Sequence, residues 1–190
     1  PKTLCIMADG MVIDPATLVK EMESLTERGI SLDNLRISQN AHVILPYHAK
    51  LDKLEEIAKG GAALGTTGRG VGPCYVDKAA RLGIRMGDLV NLTRLREKLK
   101  AVLPHKNALL TKIYDSEPFD QETLLAELTP LAEKLAPYVT DTQALAGEAQ
   151  TSGKRILFEG AQATLLDIDG GTYPYVCLLY TSDAADEEDS

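Results

Sequence analysis

Residues 65–81 read GTTGRGVGPCYVDKAAR. Gly65, Gly68, Gly70 and Gly72 crowd into eight positions, Pro73 closes the run, and a helix-like segment carrying Lys78 and Arg81 follows. A glycine-rich turn entering a helix is a familiar way to hold a phosphate, because backbone N–H groups and the helix dipole converge on the anion. Neither common nucleotide fingerprint fits, however. A Walker A loop needs G-x-x-x-x-G-K-[ST], and here Gly65 and Gly70 are followed by Val71-Gly72 with no lysine. The dinucleotide pattern G-x-G-x-x-G after a strand is also unmatched. What remains is Thr66 and Thr67, two hydroxyls beside flexible glycines whose amides can converge on an oxyanion. Lys78 and Arg81, three apart, are expected to share a helix face, and Arg suits forked contact with phosphate. On chemistry alone, an anion site and a plain surface loop before an exposed basic face stand equally open.

Outward from this loop the pattern alternates strands and helices. Leu4–Met7 and Met11–Ile13 are short apolar runs around Asp9-Gly10. Asp14-Pro15 is a helix start, with Asp as N-cap and Pro at the first position. Leu18, Met22 and Leu25 follow at helical spacing until Gly29. Leu35–Ser38 and His42–Leu45 read as extended. Pro46 opens a second helix with Leu51, Leu54 and Ile57 on one face, stopped by Gly60-Gly61. From about 93 to 150 the periodicity is helical, with breaks expected at Pro104, Pro118, Pro130 and Pro137. Gly153 ends that block, and Arg155–Glu159 (RILFE) reads as a strand. The expected class is α/β with an inserted helical subdomain.

Composition limits the function classes. With 44% hydrophobic and 25% charged residues, the 190-residue chain resembles an ordinary globular domain with a real core. No apolar run approaches the roughly 18 residues that cross a bilayer, and no secretory signal is visible. Cys5, Cys74 and Cys177 are widely separated, with no metal-ligand or disulfide spacing, which fits a reducing cytoplasm. The net charge of −8 owes five acids to the last fourteen residues, among them Asp186, Glu187 and Glu188. The body is therefore near neutral and offers no electrostatic reason to expect nucleic acid or membrane as partner. Without an initiator methionine, and with a strand almost at once, the chain is expected to be an internal piece of a larger fold. Residues 177–190 are expected to be a disordered or non-native acidic tail.

A second constellation lies at 158–176, FEGAQATLLDIDGGTYPYV. Gln162 carries an amide able to donate and accept along a heterocycle's edge. Asp167 and Asp169, two apart, could form a carboxylate pair, though capping a turn and pairing with an Arg or a backbone N–H is their simpler use. Together with GTTGRGVGPCYVDKAARLGIRMGDL (65–89), DGMVIDPATLVKEMESLTERGI and AHVILPYH (41–48), this stretch resembles one family closely: adenylosuccinate synthetase. The likeness covers about residues 4–176.

The resemblance implies a P-loop-NTPase-like mixed or parallel sheet. It also implies GTP-dependent ligation of IMP and L-aspartate to adenylosuccinate, with magnesium neutralising the transferring phosphoryl group. Thr67 would hold the IMP phosphate, and Gln162 would lie along the purine. Arg81 would reach the IMP of the partner subunit in a homodimer. Thr66 and Arg69 would assist on the loop, and Lys78 and Arg85 would support the dimer contact. Ala163 stands where the family usually has Gly, Gly170 where it has His, and Cys177 where it has Thr. The family's catalytic Asp motif, GTP site and magnesium ligands find no match in this chain, so the fragment by itself is expected to be inactive. The alternative is a non-catalytic IMP-binding or dimerisation module.

Overall fold

The computed structural model describes residues 3–160, 164–167, 171–174 and 176. Among the described residues there are five short strands: β1 (Cys5–Met7), β2 (Val12–Ile13), β3 (Leu35–Ser38), β4 (His42–Val43) and β5 (Val139–Thr140). They form two parallel sheets, one ordered β1-β3-β5 and one pairing β2 with β4. Cys5 stands opposite Leu35, Ile37 opposite Val139, and Val12 opposite His42. Parallel neighbours need crossover connections, and helices supply them.

Local signals set most of the helix ends. In α1 (Pro15–Glu27), the Asp14 carboxylate accepts from the Ala16 and Thr17 amides at 2.9 and 3.2 Å. At its other end Gly29 adopts φ +76°, with Gly29 N–H on the Thr26 carbonyl and Ile30 N–H on the Leu25 carbonyl. Those are the two hydrogen bonds of a Schellman cap. α2 (Pro46–Lys59), α3 (Val71–Ala79) and the single turn α4 (Met86–Leu89) follow. α5 (Leu92–Lys112), α6 (Gln121–Leu135) and α7 (Thr142–Thr151) are capped by Asn91, Asp120 and Asp141. Pro15 and Pro46 sit at helix starts, where a missing N–H costs nothing.

Three expectations do not hold. Pro104 lies inside α5 and Pro130 inside α6, and neither breaks its helix. An interior proline costs about 3 kcal/mol. Both rings lie on the exposed side, and residues Lys100 and Ala126, whose carbonyls lose their donors, are exposed to water. Leu99, Leu103, Leu128 and Ala132 meanwhile bury the opposite faces of these helices in the shared core. Ile57 is not on the buried face of α2; it is exposed, while Leu51 is buried. RILFE is not a strand. Residues 154–160 have neither helical nor strand structure, and Leu157 and Phe158 are 91% and 87% exposed. Among the described residues no strand runs beside them, and an extended backbone is stabilised only by a partner ladder.

The main core joins Ile13, Val43 and Ile37 of the sheets to Leu18 and Met22 of α1, Leu51 of α2, and the inner faces of α5 and α6. A smaller cluster of Val12, Ile44, Val71 and Cys74 fixes α3 against the β2–β4 pair. That packing positions the glycine loop at the leading end of α3.

Candidate functional site

The loop between α2 and α3 turns through three left-handed glycines, Gly65, Gly68 and Gly70, at φ +76°, +66° and +85°. Gly70 is the position no other residue could fill. A Cβ there would lie 2.4 Å from the Ala49 amide nitrogen and 2.8 Å from the His48 Cβ. The bare glycine therefore lets the loop press onto α2. α3 begins directly after it, so Pro73 falls within the first helical turn, where its missing N–H is harmless.

Two α2 carboxylates meet the loop. Asp52, buried at 6% exposure, accepts from the Thr66 hydroxyl at 2.9 Å and, with its other oxygen, from the Gly70 amide at 2.8 Å. One Glu56 oxygen accepts from the Gly65 and Thr66 amides at 2.9 and 3.4 Å. The Lys59 ammonium, 2.9 Å from Glu56, and these amides hold the Glu56 carboxyl below its usual range. Thr67, between the two attachments, is exposed and makes no hydrogen bond to another described residue. Arg69 is exposed beside it.

Behind the loop lies a buried polar network. His48 accepts from the Leu45 amide at Nδ1 (2.9 Å), so its Nε2–H donates to Asp77 at 3.0 Å. Lys106 of α5 donates to the other Asp77 oxygen and lies over the Tyr47 ring, 5.8 Å from its centre. Burial raises the Asp77 pKa, but the hydrogen bonds from His48 and Lys106 outweigh it and hold the carboxyl below its usual range. Burial lowers that of His48, keeping it neutral. This network ties α2, α3 and α5 together and presents no group to solvent.

The basic residues are dispersed. Lys78 donates to the Asp9 carbonyl at 3.3 Å, and Tyr75 donates to the Gly10 carbonyl at 2.9 Å, anchoring the β1–β2 turn on α3. Arg81 does not share a helix face with Lys78. It lies beyond the end of α3 at φ +63°, with its amide on the Lys78 carbonyl and the Leu82 amide on the Asp77 carbonyl. That is a Schellman cap with arginine where glycine is favoured, a strained placement that marks functional positions more often than others. Thr67 and Arg81 thus flank opposite ends of a nine-residue helix about 13 Å long. Arg85 donates to the Asn40 side-chain oxygen at 3.3 Å. Gln162 and Asp169 lie outside the described residues, as do Ala163, Gly170 and Cys177.

Among the described residues no group of three or more His, Cys, Asp or Glu side chains is placed to hold a metal. Nor is any described helix long and apolar enough to cross a membrane.

A profile of the family described as adenylosuccinate synthetase matches residues 1–185. The chain belongs to the adenylosuccinate synthetase family. It is 53% identical over 176 residues to the adenylosuccinate synthetase of Heliobacterium modesticaldum, covering 93% of this chain and 41% of that protein. The Oceanobacillus iheyensis adenylosuccinate synthetase is 53% identical over 173 residues, covering 91% and 40%. A solved structure of fully ligated adenylosuccinate synthetase from Plasmodium falciparum matches at TM-score 0.80 and 34% identity, covering 96% of this chain and 42% of that one. The chain therefore spans about 40% of the length of its adenylosuccinate synthetase relatives. The family is one of ligases, and the parallel-sheet α/β fold is that of its solved member.

Sequence reasoning missed Asp52, Glu56 and the His48–Asp77–Lys106 network. The only sequence signal for the first two is their i,i+4 spacing on α2, which says nothing of a loop nine to eighteen residues away.

Proposed function

We propose that this chain is the IMP-phosphate-holding part of a cytoplasmic adenylosuccinate synthetase, an enzyme that joins IMP and L-aspartate at the expense of GTP. The observation that carries this reading is Thr67, exposed and without a described partner in a glycine loop of a chain from this family. Its hydroxyl and amide are free to meet the IMP 5′-phosphate, with Thr66 and Arg69 beside it. Gln162 lies along the purine. Arg81 serves the IMP of a second subunit in a homodimer, supported by Lys78 and Arg85. The separation of Thr67 from Arg81 by the length of α3 supports this division, because one phosphate does not span both ends of the helix.

The chain by itself is proposed to be inactive, because the motifs that the family resemblance assigns to the catalytic Asp, the GTP site and the magnesium ligands find no match in its sequence. In this reading 1–176 is a partial adenylosuccinate synthetase domain, with the helical subdomain at about 93–150, and 177–190 is a non-native or disordered acidic tail. Purified chain supplied with IMP, GTP, L-aspartate and magnesium is expected to form no adenylosuccinate, while IMP titration shifts the loop amides and Thr67→Ala moves the midpoint to about tenfold higher IMP. Turnover by the chain overturns its inactivity, and unchanged binding in Thr67→Ala overturns the loop assignment.

A further inference from the structure

We propose that Asp52 and Glu56 form a two-carboxylate clasp on the glycine loop, with opposite effects on an entering phosphate. Asp52 holds the loop in its receptive shape, and Glu56 occupies the amides that the anion needs. The inference rests on the reading of this loop as an IMP-phosphate site.

Asp52 spends its two oxygens on the two sides of Thr67. One takes the Thr66 hydroxyl and the other the Gly70 amide. Thr67, Gly68 and Arg69 are left as a three-residue arch between fixed ends. The Lys53 side chain backs the arch, its Cγ 3.1 Å from where a Gly68 Cβ would stand. The Gly70 contact also places a negative charge at the leading end of α3, where the helix dipole favours it. Asp52 is buried, and each of its oxygens is engaged, so it stays in place when a ligand arrives.

Glu56 lies one turn further along α2, and its single Oε2 accepts from two consecutive amides, Gly65 and Thr66. An oxyanion on consecutive backbone N–H groups is how such a loop binds phosphate. The Glu56 carboxylate is thus an internal stand-in for a phosphate oxygen. Its longer side chain can swing toward Lys59, which already holds the other oxygen at 2.9 Å. An arriving phosphate takes over the Gly65 and Thr66 amides, Glu56 retires onto Lys59, and the Asp52 attachments persist. The charges around the exchange are Lys53, Glu55 and Lys59 on α2 and Arg69 on the loop itself.

The test compares the whole 190-residue chain with Glu56→Gln, Asp52→Asn and Thr66→Val. It reads amide hydrogen exchange without ligand, affinity for IMP and for inorganic phosphate, and Tm. Glu56→Gln is expected to speed exchange at Gly65 while leaving Gly70 unchanged, and to tighten IMP binding three- to tenfold, the effect of removing a competing charge. Asp52→Asn is expected to speed Gly70 exchange about tenfold and weaken IMP to a similar degree, the scale of one charge-assisted hydrogen bond. Thr66→Val removes one Asp52 contact without altering charge and is expected to weaken binding less, which keeps the test decisive if Asp52→Asn fails to fold. If wild type binds IMP and Glu56→Gln binds either anion no tighter, the clasp is overturned and the phosphate site stands. If the exchange rates respond as described but no variant binds IMP, the IMP reading falls and only the restraint of the loop survives. Unchanged Gly70 exchange in Asp52→Asn overturns the role of Asp52.

Discussion

The two sides of the α2–α3 pair use carboxylates in opposite ways. On the inner side Asp77 is buried between His48 and Lys106, so its charge is matched by a fixed ammonium and a neutral imidazole donor. On the open side Asp52 takes only neutral donors from the loop, and Glu56 takes loop amides on one oxygen and the Lys59 ammonium on the other. A buried ion pair cannot be exchanged, because removing either partner leaves an uncompensated charge in low dielectric. A carboxylate on backbone amides can be exchanged for another anion at little net cost. Asp77 and Asp52 are therefore fixed pins, whereas the proposed clasp makes Glu56 the replaceable occupant.

The strongest way to break this comparison is Asp77→Ala, which strands the Lys106 ammonium. It is expected to cost about 3–5 kcal/mol in denaturant unfolding. Replacing both Asp77 and Lys106 by apolar residues should recover much of that loss; a double variant as unstable as Asp77→Ala would show that the pair is not the source.

Acidification should act next. Burial, then the charges of Lys78 and Arg85, lowers the His42 pKa from about 6.5 to about 4, and burial lowers that of His48. Between these pH values the unfolded chain takes up the proton that folded His42 refuses, so stability falls as pH drops through the window. For His42 the full loss is about 3 kcal/mol. The difference in unfolding free energy between pH 7 and pH 4 should shrink by roughly that amount in His42→Gln, and an unshrunken difference would contradict it.

Thr67→Ala sharpens the open side. It should weaken IMP binding about tenfold, the scale of one hydrogen bond to a charged group, and leave Tm within a degree or so of wild type. A drop of several degrees would mean that Thr67 supports the loop instead of the ligand.

The smallest effect belongs to Arg81→Gly, which relieves a left-handed arginine and is expected to stabilise the chain by up to about 1 kcal/mol. If that variant also loses IMP-dependent association between subunits, the strain serves binding. Destabilisation would show that the Arg81 side chain supports its own protomer.

Much of this protein was readable one residue at a time. Asp14-Pro15, Gly29, Pro46 and Gly153 mark helix ends because capping and left-handed backbone are decided within a turn. The motifs at 65–89 and 158–176 carried the family, and β3 was legible from its own apolar pattern. The prolines in α5 and α6 were misread because a broken helical hydrogen bond is outweighed by distant packing, which no local rule contains. RILFE was misread because a strand's stability belongs to its neighbour. Arg81 passed for a helical residue because nothing in VDKAAR marks where α3 stops; the Leu82 amide reaching back to the Asp77 carbonyl does that.

By itself, then, the sequence determined the family, the α/β class and the presence of a glycine-rich loop ahead of a helix, since each depends on residue identity at short spacing. Only the tertiary structure decided what fills that loop. Hydrogen bonds from Thr66 to Asp52 and from Gly70 to the same carboxylate join residues 14 and 18 positions apart. Their pairing follows from the packing of α2 on α3, where a bare Gly70 permits an approach that any side chain would forbid.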